Sequence, residues 1–353
     1  MADFSIFELG DFTLDSGITL RSAYIAYKTF GDPRNPAIVY PTWYSGLISD
    51  NEWLLGEDMA LSPNKYFIII PALFGNGQST SPSNTPEPRP FPSVTMFDNV
   101  TAQYRLVTEG LGVKHLKAVL GWSMGAAQTF QWITQYLDFV DLAAPFCGAA
   151  RCSLHNKVFL EGVKSALIAA KGAASGGASN GEATAASDYR AWTSEEREIG
   201  LKALGRVYAG WGFSQAFYRE KVYETHLGFE NLEDFMIGFW EAWALSKGKP
   251  APSGVSRNFE LAMRSIKAKT LVLPGKTDLY FPPEDSEYEV ACMSPGVGKC
   301  VAFPSIWGHW AGGPGNSKED VKWLNEKLRV LFETGSLQGI EDVASGVTAL
   351  SLK

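Results

Sequence analysis

A five-residue turn, Gly121-Trp122-Ser123-Met124-Gly125, constrains the fold of this chain more than any other feature of its sequence. Residues 116–120 before it form an apolar run that predicts a strand, and residues 126–136 after it predict a helix. A sharp strand-to-helix turn strains the backbone, and glycine is needed on both sides because a side chain there would clash. This context predicts that Ser123 is a nucleophile presented at the edge of a sheet.

Strand and helix signals alternate on both sides of this turn. Short apolar runs predict further strands at residues 18–27, 37–40, 66–70, 140–146, 270–274 and 299–303. Apolar residues at helical spacing predict further helices at 97–111 and 317–332. Such alternation is typical of an α/β protein with a doubly wound, mostly parallel sheet.

The pattern changes between residues 154 and 260, where only helices are predicted. We therefore expect a core made of residues 1–153 and 261–335, with a tail at 336–353. The insertion, 154–260, is expected to form a helical cap over the carboxyl edge of the sheet, where ligands bind in open α/β folds. Within it, residues 169–187 are nearly all small or polar and predict a flexible segment.

Charge and composition exclude several classes of function. The net charge is −7 and no basic stretch could follow a phosphate backbone, so no nucleic-acid partner is expected. No apolar run approaches the ~20 residues that span a membrane, and the first residues do not resemble a signal peptide. We expect a cytoplasmic protein. The four cysteines are spaced too irregularly to predict a metal site or a disulfide framework.

A serine hydroxyl needs a base to take its proton, and histidine is the usual one. The chain has four histidines. His115 precedes the serine, and His155 and His226 fall within the predicted cap. His309 follows the last predicted strand, where a loop can return it to the sheet edge. His309 is therefore predicted to be the base for Ser123.

The acid that orients this histidine is expected in the loop after the preceding strand. Asp278 lies there, and its carboxylate would fix the imidazole tautomer and stabilise the imidazolium. Glu284 and Asp285 are alternatives, but they follow two prolines and are better suited to the start of a helix. Asp278 is the predicted third member of the triad.

A tetrahedral intermediate needs two backbone N–H donors. Met124, directly after the nucleophile, is expected to supply one. The other is expected from the loop after an early strand, where Trp43 and Tyr44 are both candidates. Because the donor is a main-chain group, the side chains do not decide between the two.

With these residues in place, the chain resembles the homoserine O-acetyltransferase family of the α/β-hydrolase superfamily over residues 10–160 and 260–332. The resemblance rests on Asp278, on Gly308-His309 and on three longer motifs: Thr42-Trp43-Tyr44-Ser45-Gly46, Phe91-Pro92-Ser93-Val94-Thr95 with Asp98, and Gly121-Trp122-Ser123-Met124-Gly125-Ala126-Ala127-Gln128. It implies an α/β-hydrolase fold, an acyl-enzyme on Ser123 and no bound cofactor. It also implies acetyl-CoA or another acyl-CoA as co-substrate, and a homodimer formed through the cap.

The sequence departs from the family at three places. Trp122 and Ala126 replace two glycines of the family's turn, Phe213 stands where a helical arginine grips the substrate carboxylate, and Trp310 replaces an aspartate. Trp122, Phe213, Trp307 and Trp310 are thus the expected substrate pocket. Burying an unpaired charge beside such rings costs several kcal/mol. Arg206 and Arg219 are substitutes for the lost arginine, although surface ion pairs are the expected role of each.

These observations predict acyl transfer through Ser123 to an acceptor more apolar than homoserine, with small molecules as substrates. Two alternatives share the same machinery: hydrolysis of an ester or lactone, and an intramolecular transfer that closes a lactone in secondary metabolism. Aromatic residues around the site disfavour water and thus favour transfer. A non-catalytic binding protein is disfavoured because Ser123, Asp278 and His309 are all present.

Overall fold

An eight-stranded sheet forms the centre of the chain in the computed structural model, which describes residues 3–85, 91–173, 192–236 and 259–340. The order across the sheet is β1-β2-β4-β3-β5-β6-β7-β8. The strands are β1 Ser5–Thr13, β2 Thr19–Phe30, β3 Ala37–Val39, β4 Phe67–Pro71, β5 Leu116–Trp122, β6 Val140–Phe146, β7 Lys269–Val272 and β8 Gly298–Cys300. This is the α/β-hydrolase fold that the sequence predicts.

The first two strands are antiparallel to their neighbours, and β3 to β8 are parallel to one another. All five residues of β4 are buried, which explains its unbroken apolar run, because helices cover both faces of a parallel sheet. In contrast, β1 has only two fully buried residues out of nine and was not predicted. An edge strand with one exposed face gives a weak apolar signal.

The helices are α1 Met96–Arg105, α2 Met124–Gln135, α3 Leu154–Ala173, α4 Ser194–Gly212, α5 Gln215–Arg219, α6 Val222–Thr225, α7 Leu232–Asp234, α8 Phe259–Ser265, α9 Pro283–Cys292 and α10 Lys318–Thr334. The helix predicted at 97–111 is observed as α1 followed by a π-helical turn, Leu106–Gly110. Among the described residues, no helix is both long enough and apolar enough to cross a membrane.

The described residues between 154 and 236 contain helices and no strand. The long helices α3 and α4 pack against each other, and we propose that α3 to α7 form the cap. Residues 169–173 of the small-residue segment belong to α3, while 174–187 lie outside the described residues. At the other end of the core, α10 ends at Gly335 in the left-handed conformation, and tail residues 341–353 also lie outside the described residues.

Candidate active site

The chain passes from β5 into α2 through Ser123, whose backbone is strained. Its φ is 56° and its ψ is −119°, a region that residues with a side chain rarely adopt. The turn closes only because its neighbours are glycines. A Cβ on Gly121 would lie 2.3 Å from the backbone of Gly125, and one on Gly148 would lie 2.4 Å from the Ser123 carbonyl. The backbone thus presents Ser123 at the carboxyl end of a central strand, as predicted.

Ser123, His309 and Asp278 are joined by two hydrogen bonds. His309 Nε2 lies 2.9 Å from Ser123 Oγ, and His309 Nδ1 lies 2.9 Å from Asp278 Oδ2. The other oxygen, Asp278 Oδ1, accepts from the N–H groups of Tyr280 at 2.7 Å and Phe281 at 3.0 Å. With both oxygens accepting, the carboxylate holds the Nδ1–H tautomer, which leaves Nε2 to accept the serine proton.

Aromatic rings fix the imidazole of His309 from several sides. The Trp122 ring stacks on it at 5.1 Å between centroids and 23° between planes, and the indole N–H donates to the His309 carbonyl at 3.2 Å. The edge of Tyr280 meets it at 4.7 Å. Gly308, the residue before His309, has a φ of 64°, and a Cβ on it would lie 2.9 Å from the Ser214 nitrogen. The imidazole is only 2% exposed, so its position is set by packing.

The other candidate acids and bases lie elsewhere. Glu284 and Asp285 are in the first turn of α9, the position that favours negative charge at a helix N-terminus. His115 pairs with an exposed aspartate on the surface, and the His155 ring bonds to the Leu279 carbonyl. His226 lies on the surface beside Thr225.

The predicted oxyanion loop follows β3 and is held by side-chain amides that sequence reasoning missed. The Asn51 amide donates to the carbonyls of Tyr40 and Pro41 at 2.9 and 3.3 Å, and the Asn76 amide donates to the Gly46 carbonyl at 3.1 Å. Trp43 is buried within this loop and Tyr44 is half-buried. Both asparagines are distant in sequence from the nucleophile, so no spacing pattern identifies them.

The four predicted pocket aromatics belong to one buried cluster beside the imidazole. Trp310 meets Trp122 at 5.3 Å and stacks on Phe213 at 5.4 Å, with 27° between the latter two planes. Phe217 connects Phe213 to Trp307, with centroid distances of 4.1 and 5.4 Å. All four predicted rings are at most 6% exposed, so they form a packed wall. Their contact with substrate stays a prediction.

Two tyrosines that sequence reasoning missed, Tyr208 and Tyr280, lie near the predicted site residue Tyr44, and Tyr280 contacts His309. Tyr208, from α4 of the proposed cap, is hydrogen-bonded to Tyr280 of the core. Burial raises the pKa of Tyr44 to about 12, and burial also raises the pKa values of Tyr208 and Tyr280. The phenols therefore stay neutral at physiological pH. Among the described residues, no three His, Cys, Asp or Glu side chains are grouped to hold a metal ion.

A family model described as alpha/beta hydrolase fold matches residues 46–311 of the chain. The chain belongs to this family. This α/β hydrolase is 32% identical to a probable esterase of Corynebacterium glutamicum over 92% of this chain and 95% of that protein. It is 33% identical to an ethyl acetate hydrolase of Pseudomonas veronii over 80% of this chain and 82% of the relative.

The solved structure of an acetylester hydrolase from C. glutamicum superimposes on this α/β hydrolase with a TM-score of 0.82. The two are 31% identical, and the match covers 94% of this chain and 96% of the other. The resemblance to homoserine O-acetyltransferases is also confirmed, at lower identity. The enzyme of Haemophilus influenzae is 25% identical over 86% of this chain and 92% of its own length.

The departures from the acetyltransferase motifs lie together in the structure. Phe213 and Trp310, the two positions at which the sequence predicts the loss of an arginine and an aspartate of that family, stack on each other. Neither arginine considered as a substitute lies in this cluster. Arg206 pairs with Glu233, and Arg219 bonds to Gln215, at exposed positions on the helices. At the two positions where the sequence predicts that charged groups are lost, two neutral rings pack together.

Proposed function

We propose that this α/β hydrolase cleaves small, uncharged carboxylic esters through an acyl-enzyme on Ser123. The observation that carries the proposal is the buried Asp278–His309–Ser123 hydrogen-bond series at a strained elbow. His309 Nε2 would take the hydroxyl proton as Ser123 Oγ attacks the ester carbonyl. Asp278, already bonded to three donors, would stabilise the imidazolium that forms.

The remaining steps use the same groups. The oxyanion of the tetrahedral intermediate would accept from the Met124 N–H and from Trp43 or Tyr44. Its collapse breaks the bond to the leaving alkoxide, which takes the proton from His309 and departs as an alcohol. Water then enters, gives a proton to His309 and adds to the acyl carbonyl. When the second tetrahedral intermediate collapses, the bond to Ser123 Oγ breaks and Oγ takes the proton from His309, so the carboxylic acid is released and Ser123 is regenerated.

The surroundings of the triad favour a small and neutral substrate. Apart from its triad partners, the His309 ring packs against the rings of Trp122, Tyr280, Phe281 and Trp310, all aromatic and uncharged. A charged ammonium or carboxylate buried beside them would lose its hydration without gaining a partner. Relatives named as an ethyl acetate hydrolase and an acetylester hydrolase support acetyl esters as the first substrates to test.

Acyl transfer to an apolar alcohol is the second candidate. Ser123 is only 9% exposed and its base is enclosed by rings, an arrangement that limits the entry of water. An alcohol with an apolar chain could then compete for the acyl-enzyme, and acyl-CoA could be a donor. A homodimer through the cap also stays a prediction, which light scattering of the purified protein tests.

The test offers ethyl acetate, nitrophenyl acetate and acetyl-CoA to the wild type and to Ser123→Ala. Each donor is supplied with and without 1-propanol or homoserine, and acetate and acetylated products are quantified. We expect acetate from the simple esters, no acetylated homoserine and no activity in Ser123→Ala. If propyl acetate forms faster than acetate, acyl transfer and not hydrolysis is the function of the enzyme. Efficient acetylation of homoserine would refute the proposal that the substrate is uncharged.

A further inference from the structure

A chain of buried hydrogen bonds connects the core to the oxyanion loop through two glutamines. The Trp132 indole N–H lies 2.9 Å from Gln103 Oε1, and Gln103 Nε2 lies 2.6 Å from Gln128 Oε1. Gln128 Nε2 in turn lies 2.8 Å from the Thr42 carbonyl and 3.2 Å from the Met124 carbonyl. Trp132, Gln103, Gln128 and Thr42 are all fully buried. These hydrogen bonds therefore join Trp132 to Thr42 directly, without a bridging water molecule.

The groups at the two ends of this hydrogen-bond series, the Trp132 indole N–H and the Thr42 carbonyl, determine the direction of every bond in it. An indole N–H can only donate and a backbone carbonyl can only accept. Gln103 must therefore turn its oxygen to Trp132 and its NH₂ to Gln128. Gln128 must then turn its NH₂ to the Thr42 carbonyl. Amide orientations are usually ambiguous from atom positions alone, but here the end groups decide them.

Holding the Thr42 carbonyl also orients the N–H of the next residue. In a trans peptide the C=O and N–H point in opposite directions, so the Trp43 N–H is directed away from Gln128. The neighbouring carbonyls are held as well: those of Tyr40 and Pro41 by Asn51, and that of Trp43 by the Gly46 N–H. Among the described residues, no acceptor takes the Trp43 N–H.

We propose that Gln128, held by Gln103, is a positioning residue that fixes the 42–43 peptide so that the Trp43 N–H is the second oxyanion donor. This inference rests on the proposed function, and it decides between Trp43 and Tyr44. Gln128 also bonds to the carbonyl of Met124, the residue expected to supply the first donor. That bond holds the 124–125 peptide, not the Met124 N–H, so it anchors the Gln128 amide at the first turn of α2.

Gln128→Met tests the proposal because it keeps the side-chain volume and removes the donor. Gln131→Met is the matched control: Gln131 is on the same helix, is 7% exposed and bonds to Gln135 instead of the loop. Loss of one oxyanion donor lowers kcat about 10²- to 10³-fold. A misdirected donor should approach that loss, so we expect kcat for nitrophenyl acetate to fall roughly 10- to 100-fold with little change in KM.

A second measurement separates positioning from a general loss of structure. A small alkylboronic acid forms a tetrahedral adduct on the serine and occupies the oxyanion position. We expect its inhibition constant to rise in Gln128→Met by about the factor by which kcat/KM falls, since both report transition-state contacts. The inhibition constant of Gln131→Met should match the wild type. Equal kcat and equal boronate affinity in Gln128→Met and Gln131→Met would overturn the proposal.

Gln103→Met keeps the proposal testable if Gln128→Met does not fold. It removes the group that orients Gln128, together with the acceptor of the Trp132 indole N–H, and leaves the bond from Gln128 to the Thr42 carbonyl possible. We therefore expect a smaller drop in kcat and in boronate affinity, with KM unchanged. Wild-type values for both would overturn the proposal. Failure of the proposed function looks different, because the wild type itself would then neither hydrolyse the ester nor bind the boronic acid.

Discussion

Glu289 offers a measurable link between a buried carboxyl group and the pH dependence of stability. It lies on α9, is 2% exposed, and accepts a hydrogen bond from the Ala150 N–H at 2.6 Å. Within the described residues its second oxygen has no hydrogen-bond partner. Burial raises its pKa from 4.5 to about 8, against the opposing effect of the Ala150 N–H. The folded protein therefore keeps this carboxyl protonated at neutral pH.

The size and sign of the effect follow from this pKa. Between pH 4.5 and about 8 the unfolded chain has released the proton and the folded chain retains it. The unfolded state binds fewer protons, so the free energy of unfolding falls as the pH rises, by ~1.4 kcal/mol per pH unit. Across the whole window the loss is on the order of 4–5 kcal/mol. The glutamine in Glu289→Gln cannot ionise, so the free energy of unfolding of this variant lacks this fall with pH.

Urea unfolding of the wild type and of Glu289→Gln at several pH values between 4.5 and 8 measures the difference. We expect the variant to become progressively more stable than the wild type as the pH rises, with the gap levelling off above about 8. Glu287→Gln, at an exposed position of the same helix, is the control and should show no such trend. Parallel pH profiles for the wild type and Glu289→Gln would refute the reasoning.

Three further substitutions test the site. Gly121→Ala should prevent the elbow from closing, because its Cβ would meet the Gly125 backbone at 2.3 Å, and the thermal midpoint should fall with the activity. Asp278→Asn should lower kcat about 10³- to 10⁴-fold. Its oxygen would stay with the two backbone N–H donors, so its NH₂ would face His309 and impose the wrong tautomer. Trp122→Phe should lower kcat about 10-fold with KM unchanged, since it loses the bond that holds the histidine.

Each of these substitutions has its own control. Gly162→Ala, where an added Cβ meets nothing within 4 Å, lies inside α3 and should leave the thermal midpoint unchanged or raise it, because alanine favours a helix. An equal loss at both glycines would contradict the steric argument. Asp285→Asn should leave kcat near the wild-type value, because Asp285 lies in the first turn of a helix. Wild-type kcat in Asp278→Asn or in Trp122→Phe would contradict the assigned hydrogen bonds.

Local sequence predicted seven of the eight strands and the three hydrogen-bonded residues Ser123, Asp278 and His309, because each has a signal in its own stretch of the chain. β6 has the predicted bounds, Val140–Phe146, since six of its seven residues are buried and all six are apolar. Ser123 was identifiable from its glycines, and His309 from the small number of histidines in the chain. Asp278 followed from its place after a strand, because the sheet brings strand ends to one edge.

The remainder of the site depends on contacts between residues that are far apart in sequence. Tyr208 meets Tyr280, and Phe213 stacks on Trp310, each pair joining the proposed cap to the core. No periodicity relates the members of such pairs. Gln128 stood within a motif, but its role became visible only when the structure placed the Thr42 carbonyl against it. Long-range hydrogen bonds of this kind cannot be inferred from composition or spacing.

The acyl-enzyme on Ser123 is the central claim, and it can be observed directly. The protein is mixed with nitrophenyl acetate, quenched in acid within the first turnover and digested for peptide mass spectrometry. The account predicts one acetyl group on the peptide that contains Ser123, formed at the rate of the nitrophenol burst and absent from Ser123→Ala. Turnover of the ester with no acetylated Ser123 at any time, or with the acetyl group on another residue, would contradict it.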